Sequence, residues 1–207
     1  MMTRSVAIFA YDQMEALDFA GPFEVFTTAS RVAQNRGDDV PFRVFSVADS
    51  ARVKARAGLT ILADHQLREV QQVDVLLIPG GVIHDVEADE RVTAWLRQLA
   101  DTTELTASVC TGVFLLAAAA IVTDHEVTTH WEDVDDLAAR YPQLRVRRGV
   151  RWVDQGPVVT SAGISAGIDM SLHLVRRLVS DELARATATQ MEYDWRPESD
   201  DPHQVSP

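Results

Sequence analysis

Four short runs stand out along the chain because they are apolar on both faces: SVAIFA at residues 5–10, FRVFSV at 42–47, VDVLLIP at 73–79 and LTASV at 105–109. Strands of this kind are buried from both sides, which suits a central parallel sheet covered by helices. Segments of helical period lie between them. GPFEVFTTASRVAQ (21–34) places Pro22 at a plausible first helical position, and DERVTAWLRQLA (89–100) carries Val92, Trp95, Leu96 and Leu99 at helical spacing. The β-α-β order predicts a doubly wound α/β fold. Two stretches break the alternation: VKARAGLTILAD (53–64) and GVRWVDQGPVVTSAG (149–163). In the second, Asp154, Gln155 and Gly156 sit between β-favouring residues and predict a hairpin, and both stretches are expected to add to the sheet. The last pattern, residues 165–192, repeats apolar positions from Ile168 to Val179 at helical spacing, so at least one long helix closes the domain.

Composition supports one compact domain over residues 1–193. The chain has 207 residues, 46% of them hydrophobic, enough for a sizeable single core. From Asp194 the sequence turns polar, acidic and Pro-containing, and residues 194–207 are expected to form a largely disordered tail. The N-terminus has too short an apolar run for a signal peptide, and a lone cysteine forms no intramolecular disulfide, so a cytoplasmic location is expected. The most apolar stretch, 113–122, falls well below the roughly 20 residues that span a bilayer, so no membrane association is expected. A formal charge of −12 disfavours nucleic acid as a partner, and RVRR (145–148) reads as a solvated strand edge.

The candidate chemistry begins at the only cysteine. Cys110 lies where the run TASV gives way to the Ala- and Leu-rich segment that follows. In open α/β sheets functional groups gather at strand carboxyl ends, and a helix N-terminus favours thiolate over thiol. The alternative is an inert buried thiol, common among free cysteines. Pro79-Gly80-Gly81 follows an apolar strand, and glycines there let backbone amides approach a ligand, as in an oxyanion hole; a simple turn is the plainer alternative. Asp18 sits among Leu17, Phe19 and Ala20, between a strand and a helix expected to begin near Pro22. It either caps a turn or, buried near a thiolate, is held protonated.

Taken together, YDQMEALDFAGPFEVF, DVLLIPGG, SVCTGVFLLAAAAIV, VTTHW and SAGISAGIDMSLHLV resemble the DJ-1/PfpI superfamily, over roughly residues 5 to 193. The likeness is strongest to its isonitrile hydratase branch and to the amidotransferase-like sensor domains of AraC-type regulators. This resemblance implies a flavodoxin-like α/β sandwich, a homodimer, and a cysteine on a strained strand-to-helix elbow. Within it, Cys110 matches the nucleophile, Thr111 the threonine that follows it in isonitrile hydratases, and Asp18 the acidic partner. Gly80 and Gly81 match the loop whose amides face the cysteine. Ala20 replaces a hydroxyl residue of that pattern. A small-molecule substrate is implied, and no organic cofactor or metal is needed.

Several alternatives are weighed on particular residues. His125 and His130 are five apart in a β-rich run, not i and i+4 on a helix, which argues against a zinc site. His130 occupies a position that faces the pocket in the superfamily, or else caps a helix starting at Trp131. His84 lies just past the glycine loop. Thr111 stands where PfpI-type proteases carry histidine, and no Glu follows His173 as glutamine amidotransferases require. AraC-type regulators append a helix-turn-helix module, whereas only the acidic tail follows Tyr193 here. Three readings remain: a cysteine-dependent hydro-lyase that hydrates isonitriles, a non-catalytic sensor or redox-responsive binding module built on Cys110, and a glyoxalase-like activity in which Glu15 supplies the carboxylate. Phe23 and Phe26 of the first helix are the residues expected at a dimer interface.

Overall fold

The computed structural model describes residues 2–199. The chain runs β1 (Arg4–Phe9), α1 (Ala16–Asn35), β2 (Phe42–Ala48), β3 (Arg52–Lys54), β4 (Thr60–Leu62), β5 (His65–Gln66), β6 (Val75–Ile78), α2 (His84–Ala88), α3 (Glu90–Ala100) and β7 (Leu105–Val109). It continues through α4 (Gly112–Ala118), β8 (Glu126–Val127), α5 (Val134–Arg140), β9 (Arg145–Val146), β10 (Trp152–Asp154), β11 (Val158–Ser161), α6 (Ala166–Leu178) and α7 (Asp181–Gln190).

The central sheet has seven strands in the order β10-β11-β7-β6-β1-β2-β5. All its pairings are parallel except β10 with β11. The period-two geometry of each strand divides the interior into two cores. Val6 and Ile8 of β1, with Val75 and Leu77 of β6, face α1, α6 and α7; Ala7 and Phe9, with Leu76 and Ile78, face α3, α4 and α5. This is the mainly parallel, helix-covered flavodoxin-like sandwich that the doubly apolar runs predict.

The two irregular stretches behave differently. Residues 149–163 give the expected hairpin: β10 pairs antiparallel with β11, the Gln155 amide donates to the Val158 carbonyl (2.9 Å), and β11 joins β7 in the sheet. Residues 53–64 do not join it. There β3 and β4 pair only with each other, and a second short pair, β8 with β9, also stands apart.

Helix α1 begins at Ala16, not near Pro22, so Pro22 lies inside it. A proline there gives up the bond that would otherwise reach the Asp18 carbonyl. The neighbouring glycine shows what is accommodated: a Cβ on Gly21 would lie 2.9 Å from Ile168 Cγ1 of α6, so the lack of a side chain lets the two helices approach. The closing helical region is likewise two helices, because Ser180 caps α7 by accepting from the Leu183 amide (3.1 Å). Phe26 is fully buried against Phe42 in the chain's own core, which removes it from the candidate dimer face; Phe23 is half-buried and stacks on Phe19.

Residues 194–199, expected from sequence to begin a largely disordered tail, pack on the body. The Arg196 amide donates to Asp169 Oδ1 (3.0 Å), and the Trp195 ring lies under the guanidinium groups of Arg176 and Arg185 at 5.6 and 5.9 Å. Residues 200–207 lie outside the described residues. No helix among the described residues is long and apolar enough to cross a membrane.

Candidate active site

Cys110 directly follows the interior strand β7 and precedes α4, and its backbone takes a left-handed φ of +57°. A non-glycine residue there is strained by roughly 1–3 kcal/mol and persists only where its surroundings hold it. They do so from two sides: the Cys110 amide donates to the Ser161 carbonyl (3.1 Å), and Thr129 Oγ1 donates to the Cys110 carbonyl (3.0 Å). Gly80 closes on it from the neighbouring strand end. A Cβ on Gly80 would lie 2.7 Å from Cys110 Cβ and 2.7 Å from the Thr111 nitrogen, so only glycine permits this approach. The elbow expected from sequence is therefore present, with the thiol buried.

Asp18 reaches the same point from the first turn of α1. It is fully buried, accepts from the Gly80 amide through Oδ2 (3.1 Å), leaves Oδ1 without a geometric hydrogen-bond partner, and lies close enough to Cys110 for the two groups to shift each other. Burial pushes its pKa up to about 7, and the Glu15 charge adds to this; the Gly80 amide, the Cys110 thiol and the Ile164 amide pull the other way. The thiol is shifted in the opposite sense from the sequence expectation. Burial and the Asp18 charge raise it well above its ordinary value, outweighing the Thr111 amide and hydroxyl that favour thiolate. Two acids that repel each other's charge in one buried spot share protons instead of ionising together.

Thr111 and the glycine loop form a closed pair of contacts. Thr111 Oγ1 donates to the Gly81 carbonyl (2.9 Å) and accepts from the Gly81 amide (2.8 Å). Gly81 has a φ of +142°, and a Cβ there would come within 2.4 Å of the Gln13 carbonyl. The two glycine amides, expected to face the thiol as charge-stabilising donors, are thus engaged elsewhere: Gly80 with Asp18 and Gly81 with Thr111. In this geometry one amide holds the Asp18 carboxyl and the other the Thr111 hydroxyl.

A cavity of about 330 Å³ opens onto Cys110 and Thr111. His130 lines it and also caps the turn at Trp131, its Nδ1 accepting from the Glu132 amide (3.4 Å). The Cδ2 edge of its ring abuts Gly163, where a Cβ would clash with it. His84 and Glu15 stand in the wall, Glu15 with Oε2 3.7 Å from Arg56. Sequence reasoning missed Arg56, Asp133, Asp136, Arg140 and Ile164, which complete much of the lining. Ile164 is a second left-handed residue, at φ +52°, and 40% exposed. The polar run EDVDD after VTTHW was the available signal for the acidic wall; nothing local marked Ile164.

Residues 4–177 match the DJ-1/PfpI family. The chain belongs to that family. Among its DJ-1/PfpI relatives, the isonitrile hydratase of Pseudomonas putida is 29% identical over 201 residues, covering 96% of this chain and 82% of that protein. The HTH-type transcriptional regulator CdhR of Pseudomonas aeruginosa is 31% identical over 143 residues, covering 69% of this chain and 42% of the regulator. A solved ThiJ/PfpI family protein from Pseudomonas syringae superposes with a TM-score of 0.83 at 25% identity, covering 100% of this chain and 80% of that one. The relatives thus include an enzyme and a transcriptional regulator, and this chain carries the family fold.

Proposed function

We propose that the protein is a cysteine-dependent hydratase that adds water to an isonitrile and releases an N-substituted formamide. The observation that carries this reading is the pairing of a buried thiol with a carboxyl whose pKa is near neutrality, on an elbow that opens into a cavity. Such a carboxyl can accept and return a proton at each step. Asp18 takes the thiol proton as Cys110 Sγ bonds to the terminal isonitrile carbon, then delivers that proton to the same carbon, leaving a thioimidate. Water adds to the thioimidate carbon while Asp18 accepts its proton and passes it to nitrogen. The C–S bond then breaks as the new hydroxyl becomes the formamide carbonyl, and its proton returns through Asp18 to the sulfur. Thr111, held by Gly81, positions the water and the Asp18–Cys110 pair.

Incubation of the purified protein with a simple isonitrile in ¹⁸O-water tests this directly. Labelled formamide with turnover beyond one equivalent supports it. Absence of formamide from every isonitrile tried, with Cys110 still open to alkylation, would move the assignment to the sensor reading, which the likeness to CdhR favours. The glyoxalase-like reading is disfavoured because Glu15 lies out in the cavity wall beside Arg56, while Asp18 is the carboxyl against the sulfur.

Charge in the wall bears on the substrate. Glu15, Glu132, Asp133 and Asp136 oppose Arg56 and Arg140, and Arg140 is already paired with Glu87. A cationic substituent is therefore expected to be preferred over an anionic one of equal size by about tenfold in kcat/KM at low salt, with the ratio shrinking as ionic strength rises. Preference for the anion would instead give Arg56 the dominant role.

The same reading implies a cytoplasmic homodimer. With Phe26 inside the core, the α1 surface left for contact comprises Leu17, Phe19 and Phe23. Light scattering at micromolar concentration should give twice the chain mass, and a monomer mass would sink this part of the proposal.

A further inference from the structure

One buried polar group near the site is not used by the chemistry above. Tyr11 follows β1, is 6% exposed, stacks on Phe9, and donates its hydroxyl hydrogen to the Pro79 carbonyl (3.0 Å). The Pro79 carbonyl and the Gly80 amide belong to one planar peptide unit. Its oxygen accepts from Tyr11, and its N–H donates to Asp18 Oδ2 (3.1 Å). The neighbouring Gly80 carbonyl accepts from the Glu15 amide (2.8 Å), so α1 is tied to this loop at two adjacent points.

We propose that Tyr11 is a positioning residue: its hydroxyl fixes and polarises the Pro79–Gly80 peptide, and through that peptide holds the Asp18 carboxylate against the Cys110 thiol. Hydrogen bonds linked through a peptide strengthen one another, and a donor on the carbonyl makes the amide at the other end a better donor. The groups that face Asp18 are few. Glu15 lies on its own helix turn, Cys110 and the Ile164 amide lie across from it, and Tyr11 is near enough for the two charges to interact. Tyr11 remains neutral over the working range, because burial and the Asp18 and Cys110 charges all oppose its ionisation. It acts only as a donor. The inference rests on the catalytic Asp18–Cys110 pair of the hydratase reading, but its test needs no turnover.

The test follows the rate of Cys110 alkylation by iodoacetamide against pH, where Asp18 ionisation produces an inflection because its charge opposes that of the thiolate. Tyr11→Phe keeps the ring packing and removes the donor. It should move the inflection upward by roughly half a pH unit, since a net hydrogen bond is worth about one such unit and acts here at one remove. In an Asp18→Asn background, Tyr11→Phe should leave the alkylation profile unchanged. Fluorotyrosine at position 11, a stronger donor of nearly the same shape, should move the inflection downward and provides the test if Tyr11→Phe fails to fold. An inflection that stays in place in both variants, or a Tyr11→Phe effect that persists without Asp18, would overturn the proposal. An absence of formamide with the expected shifts intact would count against the hydratase reading alone.

Discussion

Cys110→Ala is expected to abolish formamide formation, by at least about 10⁴-fold, while the protein folds normally. The sulfur is the only protein atom in the proposed cycle that bonds to the substrate carbon, so nothing else in the cavity substitutes for it. Cys110→Ser should be equally inactive, because a serine hydroxyl in a buried, acidic setting is a far weaker nucleophile than a thiol. The fold should tolerate both changes, since the side chain forms no hydrogen bond on which the elbow depends: the backbone contacts to Ser161 and Thr129 do that work. Cys110→Gly adds a control, for glycine occupies a φ of +57° without strain and is expected to raise stability while remaining inactive. Measured kcat, intact-mass analysis of trapped thioimidate and unfolding curves read the three variants. Substantial turnover in Cys110→Ala would remove the covalent step.

The elbow was readable in advance because its parts are local. Doubly apolar runs marked β1, β2, β6 and β7 almost residue for residue, and the change from TASV to an Ala- and Leu-rich run marked the turn at Cys110. Where sequence reasoning went astray, the cause was tertiary. Pro22 reads as a helix start, yet α1 runs through it, with the adjacent Gly21 packed closely against Ile168 of a helix almost 150 residues away. Phe26 looked like surplus for an interface until Phe42 covered it. The thiol was expected to be acidified by the following helix, but burial and Asp18 dominate, and both come from elements distant in sequence. The same holds for the loop amides. That Gly80 and Gly81 approach the elbow follows from their lack of Cβ, whereas the partners their N–H groups choose depend on how α1 and α4 are placed. Tyr11 opens one of the family-like stretches, but nothing local marks its contact to Pro79, which spans 68 positions.

Asp18→Asn is expected to be the second decisive substitution, and it separates catalysis from stability. Asparagine keeps the shape and the acceptor for the Gly80 amide but exchanges no protons, so turnover should fall by about 10²- to 10⁴-fold. Stability should move the other way. The Asp18 pKa rises from its ordinary 3.8 to about 7 on folding, so between those values the folded state binds the proton and the unfolded state does not. Stability at this position is therefore lost as pH rises from about 4 to about 7, and the full cost, on the order of 4 kcal/mol, is present above 7. The neutral amide carries no such cost, and Asp18→Asn is expected to be the more stable protein at pH 8, with the difference fading toward pH 4. Loss of the carboxylate also removes a charge that opposes the thiolate, so Cys110 should be alkylated faster than in the wild type at pH 8. Wild-type turnover should fall as pH drops below about 7, where Asp18 becomes protonated, and that limb should vanish in the residual turnover of the variant. A variant that turns over as fast as the wild type would transfer the proton relay to His130 or Glu15, both of which line the cavity. A variant that is slow, more stable and more readily alkylated has one explanation, a buried carboxyl retained for proton transfer at a cost to the fold.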